Sequence, residues 1–266
     1  MTPLNPQRPA LAAVLLAALM GIGGCAANGD AVRTAPEYDP WERTNRSVYA
    51  FNDTVDRYSL KPVARGYRAV VPQFARTGVS NFANNLRTPM SALNNLLQGK
   101  PGRSASDLTR FLVNTTFGIG GLFDPATSGG LERYDEDFGQ TLAVWGVPDG
   151  PFVVMPIFGP STLRDAAAFP VNLVTDPQFW IDDSSVRDKL NVLLLIDVRH
   201  RLLPADRFLE ESKDPYVTLR ESYLQNRRFE IYDGDPPVDD DFYEDFDDFE
   251  DFEDIDAEPA AESVDE

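Results

Sequence analysis

Asp39-Pro40-Trp41-Glu42-Arg43-Thr44-Asn45-Arg46-Ser47-Val48-Tyr49-Ala50-Phe51-Asn52 is the stretch that decides the fold class. Asp39 can cap a helix, Pro40 suits the first helical position, and Glu42 stands at the third, as in a capping box. Trp41, Val48 and Val55 repeat every seven residues, and Phe51 and Tyr58 continue the pattern. That spacing puts the apolar side chains on one stripe of an α-helix. Pro62 is expected to close it.

The same signals recur along the chain. A segment over 63–71 runs to Pro72, and the next carries Phe74, Val79, Phe82 and Leu86 as far as Thr88-Pro89. Met90, Leu93, Leu96 and Leu97 precede Gly99, and Leu108, Phe111 and Leu112 mark a further helix. Gly118-Ile119-Gly120-Gly121-Leu122-Phe123-Asp124-Pro125 ends that helix, its glycines supplying the freedom of a helix stop or a close chain approach. It is no dinucleotide fingerprint, because the spacing is wrong and no strand precedes it. Phe138, Leu142 and Trp145 place another helix. Residues 148–160 read as an extended apolar stretch with four prolines, after which Ser161 is expected to cap a short helix through 168. Val186, Leu190, Leu193, Leu194 and Asp197 lie on a long helix, and Asp214-Pro215 starts the last. The body is therefore mainly α, built of short amphipathic helices. No segment of it has the roughly 20 apolar residues that a membrane-spanning helix needs.

The amino terminus carries a different signal. Arg8 is followed by an apolar run over 10–20, too short to span a bilayer but the length of a signal-peptide core. It ends in Ile22-Gly23-Gly24-Cys25. An aliphatic residue three places before a cysteine, with small residues between, resembles the lipobox cut by lipoprotein signal peptidase. Cys25 is the only cysteine, so an internal disulfide is excluded and lipidation of Cys25 is expected. Ordinary secretion with a free thiol is the plainer alternative. Ala26, rather than Asp, follows the cysteine and points to an outer-membrane address in a Gram-negative cell. The expected organisation is a lipoprotein signal peptide over 1–24, a lipidated tether over 25–37, a helical body over 38–233 and a tail over 234–266.

Net charge is −19, but it is not evenly spread. Of the 43 acids, 18 lie between Asp233 and Glu266 with no Lys or Arg among them, leaving 25 acids against 24 bases elsewhere. A near-neutral body lacks the basic footprint that nucleic acid demands. The tail repels itself and is expected to be disordered. Phe246, Phe249, Phe252 and Ile255 recur there every third residue, a step that drifts around a helix and builds no stripe. It reads either as a solvated tail or as an acidic arm with aromatic anchors for a basic partner.

Catalytic sets are missing. The single histidine, His200, lies in Arg199-His200-Arg201 near a helix end and reads as a surface or capping residue. There is no His-Glu-x-x-His, no Gly-x-Ser-x-Gly elbow and no Walker loop. Asp135 and Glu136 read as carboxylates of a solvated helix face. No enzyme, cofactor or metal centre is expected.

Six blocks carry a resemblance. They are the opening Asp39–Asn52 stretch, Gly78-Val-Ser-Asn-Phe-Ala-Asn-Asn-Leu86, Phe111-Leu-Val-Asn-Thr-Thr-Phe-Gly-Ile-Gly-Gly-Leu-Phe-Asp-Pro125, Phe138-Gly-Gln-Thr-Leu142, Gly150-Pro-Phe-Val-Val-Met-Pro-Ile-Phe-Gly-Pro-Ser-Thr-Leu-Arg-Asp165 and Asp214-Pro-Tyr-Val-Thr-Leu-Arg-Glu-Ser-Tyr223. In this order they resemble the MlaA (VacJ) family of outer-membrane lipoproteins. The resemblance implies a ring-like, leaflet-embedded body with a polar-edged channel. Through it, mislocalised phospholipid leaves the outer leaflet for a periplasmic MlaC-like carrier and retrograde transport, which maintains lipid asymmetry. It also implies association with a trimeric porin. Candidates for a lipid channel or gate are Phe51 and Asn52, the turn glycines Gly118, Gly120 and Gly121, and Phe152, Pro156 and Phe158 in the proline-rich stretch. Each has a plainer reading: core stripe, helix stop and packed turn respectively. The alternative function is a structural or porin-associated envelope lipoprotein whose effect on lipids is indirect.

Overall fold

The computed structural model describes residues 38–237. The signal, the tether with Cys25 and the tail from 238 onward lie outside the described residues. The chain divides into two compact units, Met1–Gln225 and Asn226–Glu266. The described part of the second is the end of the last helix and a short turn, where Arg227 pairs with Glu230 at 3.0 Å.

Helix α1 spans Glu42–Val55 and passes through one π turn, Asp56–Leu60, into α2, Lys61–Val70. Pro62 was expected to end this helix and does not. A proline ring crowds the carbonyl four residues back and lacks the N–H that would bond it. The widened π turn just ahead of it absorbs that conflict. Pro89 is accommodated as well. Helix α3 runs unbroken over Gln73–Leu97 with Pro89 inside, where two segments were expected. An interior proline costs about 3 kcal/mol, so packing must hold this helix together. The packing comes from α4, Pro101–Thr116, which lies along α3 as a helical hairpin.

The buried face of that hairpin is polar. On α4 it consists of Ser104, Asp107, Arg110 and Asn114, at steps of three and four, whereas Leu108 and Leu112 are exposed. Asp107 is 0% exposed and accepts from Ser91 Oγ at 2.8 Å and Asn95 Nδ2 at 3.0 Å. Arg110 grips both oxygens of Asp124 at 3.0 and 2.9 Å. Burying such groups is tolerable only when they find partners, and those of α4 do, while on α3 the side-chain oxygens of Asn85 and Asn95 are left without one. Burial pushes the Asp107 carboxyl up, and the donors from Ser91, Tyr134 and Asn95 oppose it.

Short α5, Pro125–Ser128, and α6, Phe138–Val144, follow, capped by the side chains of Asp124 and Asp137. Glu136, expected on a solvated helix face, instead lies buried in the extended link before α6 and accepts from Gln98 Nε2 at 2.8 Å. Two antiparallel strands come next, β1 Phe152–Met155 and β2 Gly159–Thr162, with Phe152 opposite Thr162 and Met155 opposite Gly159. The expected extended stretch is thus a hairpin. Thr162, not Ser161, caps α7, which runs over Leu163–Thr175 past Pro170, because β2 continues to Thr162 and the helix begins only after it. A 3-10 turn, Pro177–Trp180, leads to α8, Ser184–Leu202, then α9, Ala205–Glu211, and α10, Pro215–Ile231.

A small apolar core forms where Phe152 and Val154 of β1 meet Tyr216 of α10, with Val48, Tyr49 and Tyr223 packed around them. The Phe152 and Tyr216 rings meet edge-on at 6.3 Å. Elsewhere the usual distribution is inverted. Among the described residues, twenty polar or charged side chains are buried against nine hydrophobic ones, while thirty large hydrophobic side chains are exposed. Singly exposed apolar residues are ordinary; an excess of this size marks a surface made for something other than water. The stripe of α1 follows the same rule: Trp41, Phe51 and Tyr58 face outward, and Asn45 is the buried residue of that helix.

Candidate functional site

Asn45 and Asn52 stand seven residues apart on α1, two turns along one face and about 10.5 Å along the axis. Three residues of extended strand cover about 10 Å. The two amides therefore meet β1 in step. Asn45 Nδ2 donates to the Phe152 carbonyl at 3.0 Å, and its Oδ1 accepts from Val154 N at 2.9 Å. Asn52 Nδ2 donates to the Met155 carbonyl at 3.0 Å, and its Oδ1 accepts from Ile157 N at 2.8 Å. Each side chain does what a neighbouring strand's backbone would do, so the hairpin edge is satisfied by a helix.

Asp39 completes this clamp. It was expected to cap α1, but its carboxylate is buried and accepts from Asn45 Nδ2 at 2.8 Å, Arg220 Nη1 at 3.1 Å and the Tyr216 hydroxyl. Its own cap position is filled by Trp41, which makes no side-chain bond. Burial, and then the bond to Asp39, drives the Tyr216 phenol far above its ordinary range. Arg46 forks onto Asp214 at 3.2 and 2.8 Å and holds that carboxyl below the usual range.

Against this clamp lies an open depression of about 690 Å³ whose lining includes Arg43, Val48, Phe51 and Pro156. Phe51 and Pro156, named as candidates from distant blocks, thus meet in one place. Phe51 is 52% exposed, and at the hairpin tip Ile157 and Phe158 are exposed as well. Ile157 holds φ 71°, a left-handed conformation a branched residue rarely adopts, and Asn52 fixes it there through the Ile157 N–H. Phe158 also packs on Phe169 at 4.6 Å. Phe152, named with them, is only 1% exposed and belongs to the core.

The turn glycines lie elsewhere. A Cβ on Gly118 would come within 2.3 Å of the Phe123 carbonyl, and one on Gly121 within 2.6 Å of Asn85 on α3. Gly120 has φ 68° and open space beside it. The turn therefore stops α4 and presses it onto α3.

Sequence reasoning missed a third feature. Asp56 in the π turn takes Arg199 at 2.6 and 2.8 Å, Arg199 also reaches Asp206 at 2.8 Å, and Lys61 bridges Asp206 at 3.0 Å to Glu210 at 2.7 Å. This ionic chain ties α1 and α2 to α8 and α9. Its members are 143–149 residues apart across the pairing, and no local pattern signals it. The bond to Lys61 holds the Glu210 carboxyl below its ordinary range. His200 packs edge-on to Tyr67 at 5.7 Å and touches Arg76; burial, then Arg76, lowers its pKa. No helix among the described residues is long and apolar enough to cross a membrane.

Comparison with known proteins bears on this arrangement. The profile of the MlaA lipoprotein family matches residues 37–230. The chain belongs to the MlaA lipoprotein family. A relative from Haemophilus influenzae, the intermembrane phospholipid transport system lipoprotein MlaA, is 34% identical over 82% of this chain and 89% of its own. The protein of the same name from Escherichia coli K12 is 38% identical over 77% of this chain and 82% of its own. A solved structure described under "Structural basis for maintenance of bacterial outer membrane lipid asymmetry" superposes with a TM-score of 0.64 at 38% identity, covering 73% of this chain and 98% of that one. An MlaA-type body therefore carries the clamp, the depression and the ionic chain.

Proposed function

We propose that this protein is an outer-membrane lipoprotein that takes mislocalised phospholipid from the outer leaflet and passes it to a periplasmic carrier. The carrying observation is the inversion of the body, with a polar interior and exposed apolar side chains around it. A water-soluble helical protein does the opposite. A body immersed in one leaflet needs apolar surface toward acyl chains, and a headgroup route needs polar groups, since a bare phosphate in hydrocarbon is prohibitive. Helices too short to span suit one leaflet. Lipid on Cys25 would hold the body at the periplasmic side of the outer membrane. The partners on this reading are phospholipid, the outer membrane, a trimeric porin and an MlaC-like carrier.

In the clamp, Phe51 forms the apolar lip of the depression and Asn52 sets the hairpin tip opposite it. We assign these two the control of lipid passage. A null strain is expected to accumulate outer-leaflet phospholipid, measured as lipid released by an external phospholipase. The native chain should reverse this and a Cys25→Ser copy should not. Phospholipid copurifying in detergent, and its transfer to a purified carrier, separates a direct role from a merely porin-associated one. Failure of both transfer and complementation would remove the transport reading.

A further inference from the structure

Helix α2 is built as a partition. Val63 and Val70, seven residues apart, share one side and are exposed, whereas Arg65 and Arg68 come about half a turn round the axis. The shorter α9 repeats the pattern, with exposed Phe208 on one side and Asp206, Arg207 and Glu210 on the other. Between α2 and α9 lies an open groove of about 470 Å³ lined by Arg65, Arg68, Asp206, Arg207 and Glu210. Apolar outer surface and charged groove are thus separated by one helix diameter, about 10 Å.

The charges in this groove are of both signs and incompletely used. Among the described residues neither Arg65 nor Arg68 has an ion-pair partner, and Arg207 reaches only Glu211, at 3.9 Å. Asp206 is already shared between Arg199 and Lys61. Glu210 is engaged by Lys61 through Oε1 alone, and its side chain is 66% exposed. The groove therefore offers guanidinium forks that suit a phosphodiester and a half-used carboxylate that suits an ammonium.

We propose that the groove between α2 and α9 receives a zwitterionic aminophospholipid headgroup, with its phosphodiester on Arg65 and Arg68 and its ammonium on Glu210. This rests on the lipid-transport reading and adds a headgroup preference to it. A phosphoglycerol headgroup brings the same phosphate but only hydroxyls for Glu210, so the acidic side discriminates between the two.

The test uses the full-length protein in detergent, equilibrated with mixed vesicles of equal phosphatidylethanolamine and phosphatidylglycerol, with retained lipid quantified by mass spectrometry. The native protein is expected to enrich the ethanolamine lipid about threefold, the size of one exposed ion pair. Glu210→Gln should abolish that enrichment while total retention stays. Arg65→Gln with Arg68→Gln should lower retention of both lipids by a similar factor. A native ratio equal to the input, or a Glu210→Gln protein that still discriminates, overturns the proposal. Circular dichroism and Glu210→Asp, which keeps the charge and should keep the preference, guard against a folding defect. Soluble glycerophosphoethanolamine held as tightly as the lipid would overturn a lipid-borne ligand in favour of a free phosphodiester. A native protein that does not discriminate, while the null strain still shows the asymmetry defect, would remove the headgroup assignment only, whereas a null strain without an asymmetry defect would remove the transport reading beneath it.

Discussion

At the scale of single residues, two asparagines on one helix do unequal work. Asn45 is 4% exposed and serves Asp39, the Phe152 carbonyl and the Val154 N–H together. Asn45→Ala would leave the Phe152 carbonyl and the Val154 N–H unpaired in a dry place and take one of the three donors of Asp39, and roughly 3 kcal/mol of stability should go with it, read as a fall in denaturant midpoint. Asn52→Ala is expected to cost only about 1 kcal/mol, since its site is half-buried, yet it frees the tip residue Ile157. Its folded protein should therefore move phospholipid at an altered rate; a folded variant with native surface-phospholipid levels would remove Asn52 from the gate. The glycines split in the same way. Gly121→Ala meets Asn85 at 2.6 Å with φ at 93°, whereas Gly120→Ala meets nothing. The first should lose more than about 2 kcal/mol and the second about 1 kcal/mol; equal losses would mean that backbone strain alone matters. Asn45 and Asn52, one heptad apart, were visible in the sequence, but the strand that they hold lies over a hundred residues away, and nothing near them announces it.

At the scale of elements, the number and placement of helices were largely legible, because apolar spacing and turn residues are local. What escaped were the places where packing overrides a local rule. Pro62 and Pro89 read as stops, but a π turn absorbs one and the α3–α4 hairpin holds the other. Ser161 read as a cap, but pairing with β1 runs on through Thr162 and moves the helix start, and the cap, one residue along. The start of α10 matched expectation, with Asp214 accepting from Tyr216 N at 3.1 Å and Val217 N at 3.3 Å. Arg46 holds the Asp214 carboxyl below its ordinary range, so the stability it contributes is fully present above the unfolded value near pH 4 and is lost as pH falls through the lowered folded value. Asp214→Asn should flatten that acid limb. The difference should be only a few tenths of a kcal/mol, because the pair is partly solvated. Denaturant midpoints of both proteins at pH 3 and pH 6 measure it. Parallel losses in the two would place the acid sensitivity elsewhere.

At the scale of the whole molecule, periodicity told which side chains share a helix face but not what that face meets. Trp41, Phe51 and Tyr58 along α1 and its flanking cap and π turn, and Leu108 and Leu112 on α4, read equally well as a core stripe or a lipid-facing one, and the buried partners decide it. On α4 the face opposite Leu108 and Leu112 holds Asp107, Arg110 and Asn114, all satisfied inside the protein, so the leucines are left for the surroundings. A soluble fold would gain solubility from Leu108→Ser with Leu112→Ser and lose nothing else. A leaflet-embedded one should lose membrane affinity. Leu112 is 63% and Leu108 48% exposed, so each forfeits about 1 kcal/mol of apolar burial, and the pair about 2 kcal/mol. That is more than tenfold in partitioning. The lipid on Cys25 would mask such a change, so the comparison belongs in a Cys25→Ser background, with binding to phosphatidylethanolamine–phosphatidylglycerol vesicles followed by flotation. Unlipidated protein should float with the vesicles, and the double variant should shift toward the soluble fraction with its helix content unchanged. If the two partition alike, the exposed leucines face a protein partner such as a porin instead of acyl chains, and the anchor alone brings the body to the membrane.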